Sequence, residues 1–116
     1  MYSVCISSTG LMGSFDTRFM IAKLFQVVEE CGLHVRSFDK HVFYPDGVTA
    51  TVILSESHVT MSTWPERRLI HFDFFCCCDD PTKTKQFADC VAKHFKGKHK
   101  AVYIDREMMR KIPQPK

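Results

Sequence analysis

A chain of 116 residues is long enough for one hydrophobic core and too short for two independent ones. With 45% apolar and 25% charged residues, five glycines and five prolines, its composition excludes the disordered and fibrous classes. The net charge of +3 is mild; its basic residues spread along the C-terminal third among acids, without aromatic interleaving, which favours a solvated helix face and tail over a nucleic-acid patch, so no nucleic-acid partner is expected.

No apolar run approaches the roughly 20 residues of a membrane span, and residues 1–8 are not a charged leader followed by a signal-type apolar core. A soluble, cytoplasmic protein without membrane contact is expected. Cys5, Cys31, Cys76, Cys77, Cys78 and Cys90 include no C-x-x-C pair matched by a second pair or by two histidines, so no metal set is expected. Neighbouring strand residues point to opposite faces, so residues 76–78 cannot all grip one ion. Reduced, buried or half-buried thiols are the default reading, and a catalytic role for one of them is the sharper alternative.

In chain order, residues 1–8 alternate as a first strand, which the glycines of residues 9–14 interrupt. Asp16 is placed to cap a helix over 17–31, where Phe19, Met20, Leu24, Val27 and Val28 recur at three- and four-residue spacing, and Gly32 ends it. Residues 33–38 read as a second strand with Leu33, Val35 and Ser37 on one face. Residues 39–47 read as a loop, in which Pro45-Asp46-Gly47 signals a turn. Val48–Leu54 is β-branched and nearly all apolar, the pattern of a strand covered on both sides or packed at a dimer contact.

After Ser57 a further strand places His58, Thr60 and Ser62 on one side and Val59, Met61 and Thr63 on the other; residues 64–67 form its turn. Residues 69–77 return, with Leu69, His71, Asp73, Phe75 and Cys77 on one face and the more apolar Ile70, Phe72, Phe74 and Cys76 on the other. Residues 79–82 cap a second helix running to about residue 95, Gly97 closes it, and 101–105 make a last short strand. This order predicts an α+β fold: a two-layer sandwich, one domain over 1–112, with an antiparallel sheet carrying both helices on one face and a loose tail at 113–116. His58, Ser62, His71 and Cys77 then share the uncovered face.

Chemistry-bearing residues gather in the central third. Ser55-Glu56-Ser57-His58 ends an apolar strand, and cysteines follow on another, which offers a nucleophile, a base and an acid. The run FYPDGVTATVILSESHVTMSTWPE at 43–66, followed by DFFCC at 73–77, resembles the small prokaryotic S-adenosylmethionine decarboxylases, pyruvoyl-dependent enzymes of spermidine (polyamine) biosynthesis. Length and element order extend the likeness weakly over most of the chain.

The resemblance implies a zymogen that processes itself. Ser57 Oγ attacks the Glu56 carbonyl, and an N-to-O acyl shift, β-elimination and hydrolysis cut the chain between Glu56 and Ser57. The serine ends as a pyruvoyl group whose ketone condenses with the substrate amine and serves as electron sink, with no added cofactor. Carried over by position, Cys77 is the proton donor, Glu66 accepts from the ribose hydroxyls and Phe43 stacks on adenine. His58 matches the histidine after the pyruvoyl serine, Thr49 matches a serine that assists processing, and a homodimer is implied.

One position departs from the family pattern: a processing histidine is replaced by Ser62, and a serine cannot carry protons as imidazole does near neutral pH. Three readings follow. The chain does not cleave and binds its ligand or a partner without turnover; another group takes over, His71 being placed across a hairpin from Ser62; or the site serves ornithine or arginine, as in some relatives. Retained Phe43 and Glu66 favour S-adenosylmethionine, since a small amino acid needs neither adenine stacking nor a ribose acceptor.

Overall fold

A computed structural model describes residues 1–115; Lys116, the last residue of the expected tail, lies outside the described residues. The chain runs β1 (Tyr2–Thr9), α1 (Thr17–Glu30), β2 (Val35–Val42), β3 (Val48–Leu54), β4 (His58–Trp64), a 3-10 turn (Pro65–Arg67), β5 (Leu69–Cys76), α2 (Thr82–His94), β6 (Lys98–Asp105) and β7 (Arg110–Ile112). All seven strands join one antiparallel sheet in the order β2-β3-β4-β5-β1-β6-β7.

Helix α1 forms for the reason its sequence suggests, whereas α2 starts at Pro81 without a side-chain cap. The Asp16 carboxylate accepts from the Phe19 N–H at 3.3 Å, which satisfies one of the orphan donors of the first turn of α1. Gly32, at φ +67°, turns the chain away in the left-handed region that a Cβ disfavours. Met20, Leu24 and Val27 of α1 and Phe87 and Val91 of α2 are buried against Val4, Val52, Met61, Ile70, Phe72 and Phe74 of the sheet. Both helices therefore cover one face, as expected from the alternation of β4 and β5. Phe72 is fully buried and meets the rings of Phe87 and Phe95 edge-on, at 6.3 and 5.1 Å.

The structure corrects the sequence reading in five places. The second strand runs from Val35 to Val42, not 33–38, so the expected loop shrinks to residues 43–47, closed by the Phe43 N–H donating to the Gly47 carbonyl at 2.9 Å. Backbone pairing with β3 draws the polar Asp39 and Lys40 into a strand that their own propensities disfavour. Val48–Leu54 is covered by the helices on one side only: Val48, Ala50, Val52 and Leu54 are buried, whereas Ile53 on the other face is 50% exposed. The strand after α2 is longer than expected, and β7 follows it where no strand was expected. Asp105 nucleates that last turn by accepting from the N–H groups of Glu107 and Met108. Cys77 lies one residue past the end of β5.

All six cysteines are free thiols. Burial is the chief cause that pushes Cys5 and Cys76 up to about 11 and Cys31 up to about 12, from an ordinary 9.0. The folded state thus holds these protons more tightly than the unfolded chain. The stability they contribute is complete below the unfolded value and is lost as pH rises through the folded ones. Unfolding by urea between about pH 8.5 and about pH 10.5 is expected to give a falling midpoint, the unfolding free energy dropping by at most about 1.4 kcal/mol per thiol for each pH unit gained. Cys31→Ala should make the fall shallower; a midpoint indifferent to pH would contradict the assignment.

Candidate active site

The uncovered face of the sheet is built in cross-strand rows. In one row Ser7, His71, Ser62, Thr49 and His41 stand side by side on β1, β5, β4, β3 and β2. Ser62 is hydrogen-bonded to Thr49 through their hydroxyls at 2.9 Å and is the direct register partner of His71 on its other side. Directly paired side chains have Cβ atoms about 5 Å apart, within reach of an imidazole and a hydroxyl. The indole of Trp64 meets the His71 ring at 5.4 Å and near a right angle, which fixes where that imidazole lies.

A groove of about 510 Å³ opens at the C-terminal end of β4. Phe43 and Glu66 both line it, joined by Tyr44, Thr49 and Trp64. Two local devices shape it. Gly47 sits at φ +101° against β4, where a Cβ would meet the Thr63 carbonyl oxygen at 3.2 Å, so only glycine brings the β2–β3 turn this close. The Thr63 hydroxyl, buried, accepts from the Val48 N–H at 3.0 Å and pins the two strands at the groove's floor. Arg68, in the left-handed region at φ 49°, donates to the carbonyls of Leu11 and Gly13 and so holds the turn that carries Glu66.

Ser57 lies elsewhere. The Leu54 N–H donates to the Ser57 carbonyl at 2.8 Å, closing a tight turn with Ser55 and Glu56 exposed at its tip. His58 opens β4, stacked on Phe75 at 5.5 Å with an interplanar angle of 21°. Because His58 pairs with Phe75 of β5, the exposed Cys77 two residues on belongs to this same end of the sheet. The flanking thiols differ from it: Cys76 is buried on the helix side, and Cys78 donates to the Asp80 carbonyl at 3.3 Å.

The site residues expected from sequence therefore fall into two groups. Ser57, His58 and Cys77 share one end of the open face; Thr49, Ser62, His71, Phe43 and Glu66 share the other. Six strand steps from His58 to Trp64 separate the ends by about 20 Å, and five steps separate Ser57 from Ser62 by about 16 Å. Nearness in sequence is not nearness in space along an extended strand. Two groove residues were missed, Tyr44 and Trp64, which carry the signal of exposed aromatics beside turns; His41, in a segment read as loop, sits edge-on to Phe43 at 4.7 Å.

One antiparallel sheet with both helices on one face and the other face bare places the chain in the class of small open-faced α+β sandwiches. A family profile for S-adenosylmethionine decarboxylase matches residues 14–107. The S-adenosylmethionine decarboxylase proenzyme of Thermosipho melanesiensis is 32% identical over 93 residues, covering 72% of each chain. Its namesake in Methanococcus maripaludis is 41% identical over 59 residues, 51% of this chain and 48% of the relative, so the match spans about half that protein's length. The crystal structure of the Aquifex aeolicus adenosylmethionine decarboxylase shares the fold, with a TM-score of 0.76 at 21% identity, over 99% of this chain and 93% of that one. The chain belongs to the S-adenosylmethionine decarboxylase family.

Proposed function

We propose that the protein is a pyruvoyl-dependent S-adenosylmethionine decarboxylase of polyamine biosynthesis, made by its own cleavage between Glu56 and Ser57. The observation that carries this reading is the groove that sets Phe43 beside Glu66 in a member of this family. An aromatic face and a carboxylate are what an adenine ring and a ribose diol need. A small amino acid such as ornithine or arginine needs neither.

Ser57 fits the prosthetic group, because the scissile Glu56–Ser57 bond is held at an exposed turn tip and the new N-terminus is flanked by His58 and the Cys77 end. Ser57 Oγ attacks the Glu56 carbonyl carbon, and its proton passes through a neighbouring base to the peptide nitrogen, which leaves as an amine when the ester forms; β-elimination frees the Glu56 carboxylate and hydrolysis of the remaining enamine releases ammonia. When formed, the pyruvoyl group supplies a ketone that draws electrons from the substrate's reacting carbon as carbon dioxide departs. Cys77 Sγ holds the proton that replaces the lost carboxylate, and it is the one thiol of 76–78 that is exposed at this end.

Its two halves, about 20 Å apart on one chain, come together in a homodimer. A second copy covering the bare sheet face, with strands running the opposite way, brings the Glu66 end of one chain onto the Ser57 end of the other. Thr49, Ser62 and His71 then act on the partner's scissile bond, not on their own. In this arrangement His71 is the imidazole nearest to the position left by the absent processing histidine, one register step from Ser62. His71→Ala is expected to slow cleavage at least about tenfold, the scale of lost general base catalysis, in a time course of intact mass after synthesis. Unchanged processing would remove His71 from the mechanism.

Carbon dioxide release from S-adenosylmethionine, ornithine and arginine, measured on the purified protein, tests the substrate. Release from S-adenosylmethionine alone is expected; a preference for either amino acid overturns the roles of Phe43 and Glu66. A second reading, an uncut homologue that binds without turnover, draws on one observation: Ser62 already spends its hydroxyl on Thr49 and leaves no imidazole at that position.

A further inference from the structure

Cys31 and Cys90 meet where the C-terminal end of α1 packs against α2, on the side of the sheet away from the bare face; the Cys31 thiol donates to Cys90 Sγ at 3.7 Å. Polar contacts clamp the same seam. Glu30 accepts from Lys93 Nζ at 3.2 Å and lies 3.0 Å from His94 Nε2, and Lys83 Nζ donates to the Cys31 carbonyl at 3.0 Å. The two thiols differ in access: Cys31 is 1% exposed, whereas Cys90 is half-buried and lines an open groove of about 410 Å³ beside Thr82, Gln86 and Lys93. They differ in acidity as well. Burial raises both, Cys31 to about 12, while the hydrogen bond from Cys31 acts the other way on Cys90 by favouring its thiolate. Cys90 is thus the thiol that a reagent in solution reaches first, with Cys31 directly behind it.

The pair also straddles the Glu56–Ser57 bond, so cleavage there leaves Cys31 on one product chain and Cys90 on the other. We propose that Cys90 is a modification site for low-molecular-weight disulfides, and that Cys31 resolves the adduct into a Cys31–Cys90 disulfide that ties the two product chains together. The Cys90 thiolate attacks one sulfur of the small disulfide, whose S–S bond breaks; one thiol departs with the proton that Cys90 gave up, leaving a mixed disulfide on Cys90. Cys31 Sγ then attacks Cys90 Sγ, and its proton goes to the second departing thiolate. Two protein thiols are oxidised and one small disulfide is reduced to two thiols. The sulfurs are already in contact, and the clamp of Glu30, Lys83, Lys93 and His94 holds the helix ends in place while the bond forms. The role of the link rests on the self-cleavage reading above; its formation does not, because the fold brings the two thiols together in the uncut chain.

The purified protein is treated with 2-hydroxyethyl disulfide, the remaining thiols are alkylated in denaturant, and the chains are weighed intact and as proteolytic peptides. Without reductant, residues 1–56 and 57–116 are expected in one species joined through Cys31 and Cys90, which reductant splits into two. Cys31→Ala should stop at a mixed disulfide on Cys90, and Cys90→Ala should leave Cys31 reduced. An adduct on Cys31 in Cys90→Ala, a link through other cysteines in place of these, or alkylation of both Cys31 and Cys90 in the treated protein overturns the relay. The uncut Ser57→Ala chain separates this from the decarboxylase reading: a Cys31–Cys90 peptide is expected there too, and closing a loop between residues 59 apart should raise its urea midpoint. If that peptide forms but the native protein is never cut, the self-cleavage reading fails and the relay stands. If the native protein is cut and its chains stay separate after treatment, the relay fails and self-cleavage stands.

Discussion

Ser57→Ala leaves the chain uncut, with no release of carbon dioxide from S-adenosylmethionine above background. The nucleophile that starts processing is Ser57 Oγ, and removing it removes both the cut and the group the cut creates. This loss is complete rather than graded, unlike that of a residue that merely positions substrate. The substitution takes a single hydroxyl from a half-exposed turn between β3 and β4, so the fold is expected to persist. Unchanged far-ultraviolet circular dichroism would establish that the loss is chemical. Cleavage at the same bond in Ser57→Ala would exclude Ser57 as the attacking group.

A mixture of two defective chains regains activity. Glu66→Gln removes a charged acceptor at the groove, worth about 1.5–3 kcal/mol, or a roughly 10- to 100-fold fall in catalytic efficiency. Ser57→Ala alone has none. If each site draws Ser57 from one chain and Glu66 from its partner, random pairing of the two variants gives mixed dimers with one intact site, about a quarter of all sites. Co-expressing the variants, each with its own affinity tag, and assaying the doubly captured dimer checks this. Activity no greater than that of Glu66→Gln alone would mean that each site belongs to a single chain, against the separation of about 20 Å along β4.

That separation is also where the sequence was hardest to read. Ser57, Ser62 and Glu66 look like one cluster because they fall within ten residues, yet they are strung along an extended strand and its turn. The strand alternation itself was legible: His71 stands opposite Ser62, and the apolar sides of β4 and β5 face the helices. So was α1, with an N-cap, a periodic apolar stripe and a terminal glycine all agreeing. Where the reading failed, local signal was absent. Every residue of β2 is exposed, so no buried face marks the strand, and its Asp39 and Lys40 suit a loop equally well. β7 has three residues and depends on the turn at Asp105 and Met109, the latter at φ 52°, for its place beside β6.

The groove was half legible. Phe43 and Glu66 came from a resemblance, and the structure places them on one cavity. Trp64 and Tyr44 become groove residues only when the β2–β3 turn packs against the end of β4, a long-range contact made at Gly47. The meeting of Cys31 and Cys90 could not be seen at all without coordinates, because two helix positions 59 residues apart share no local signal.

Self-cleavage in the presence of Ser62 is the claim on which the rest depends, and intact mass spectrometry of the freshly purified protein addresses it most directly. Two chains, residues 1–56 and residues 57–116 with the latter beginning in a pyruvoyl group, are the expected result. A single uncut chain with Ser57 unmodified, unchanged after prolonged incubation, would contradict the account and leave a binding protein in place of an enzyme.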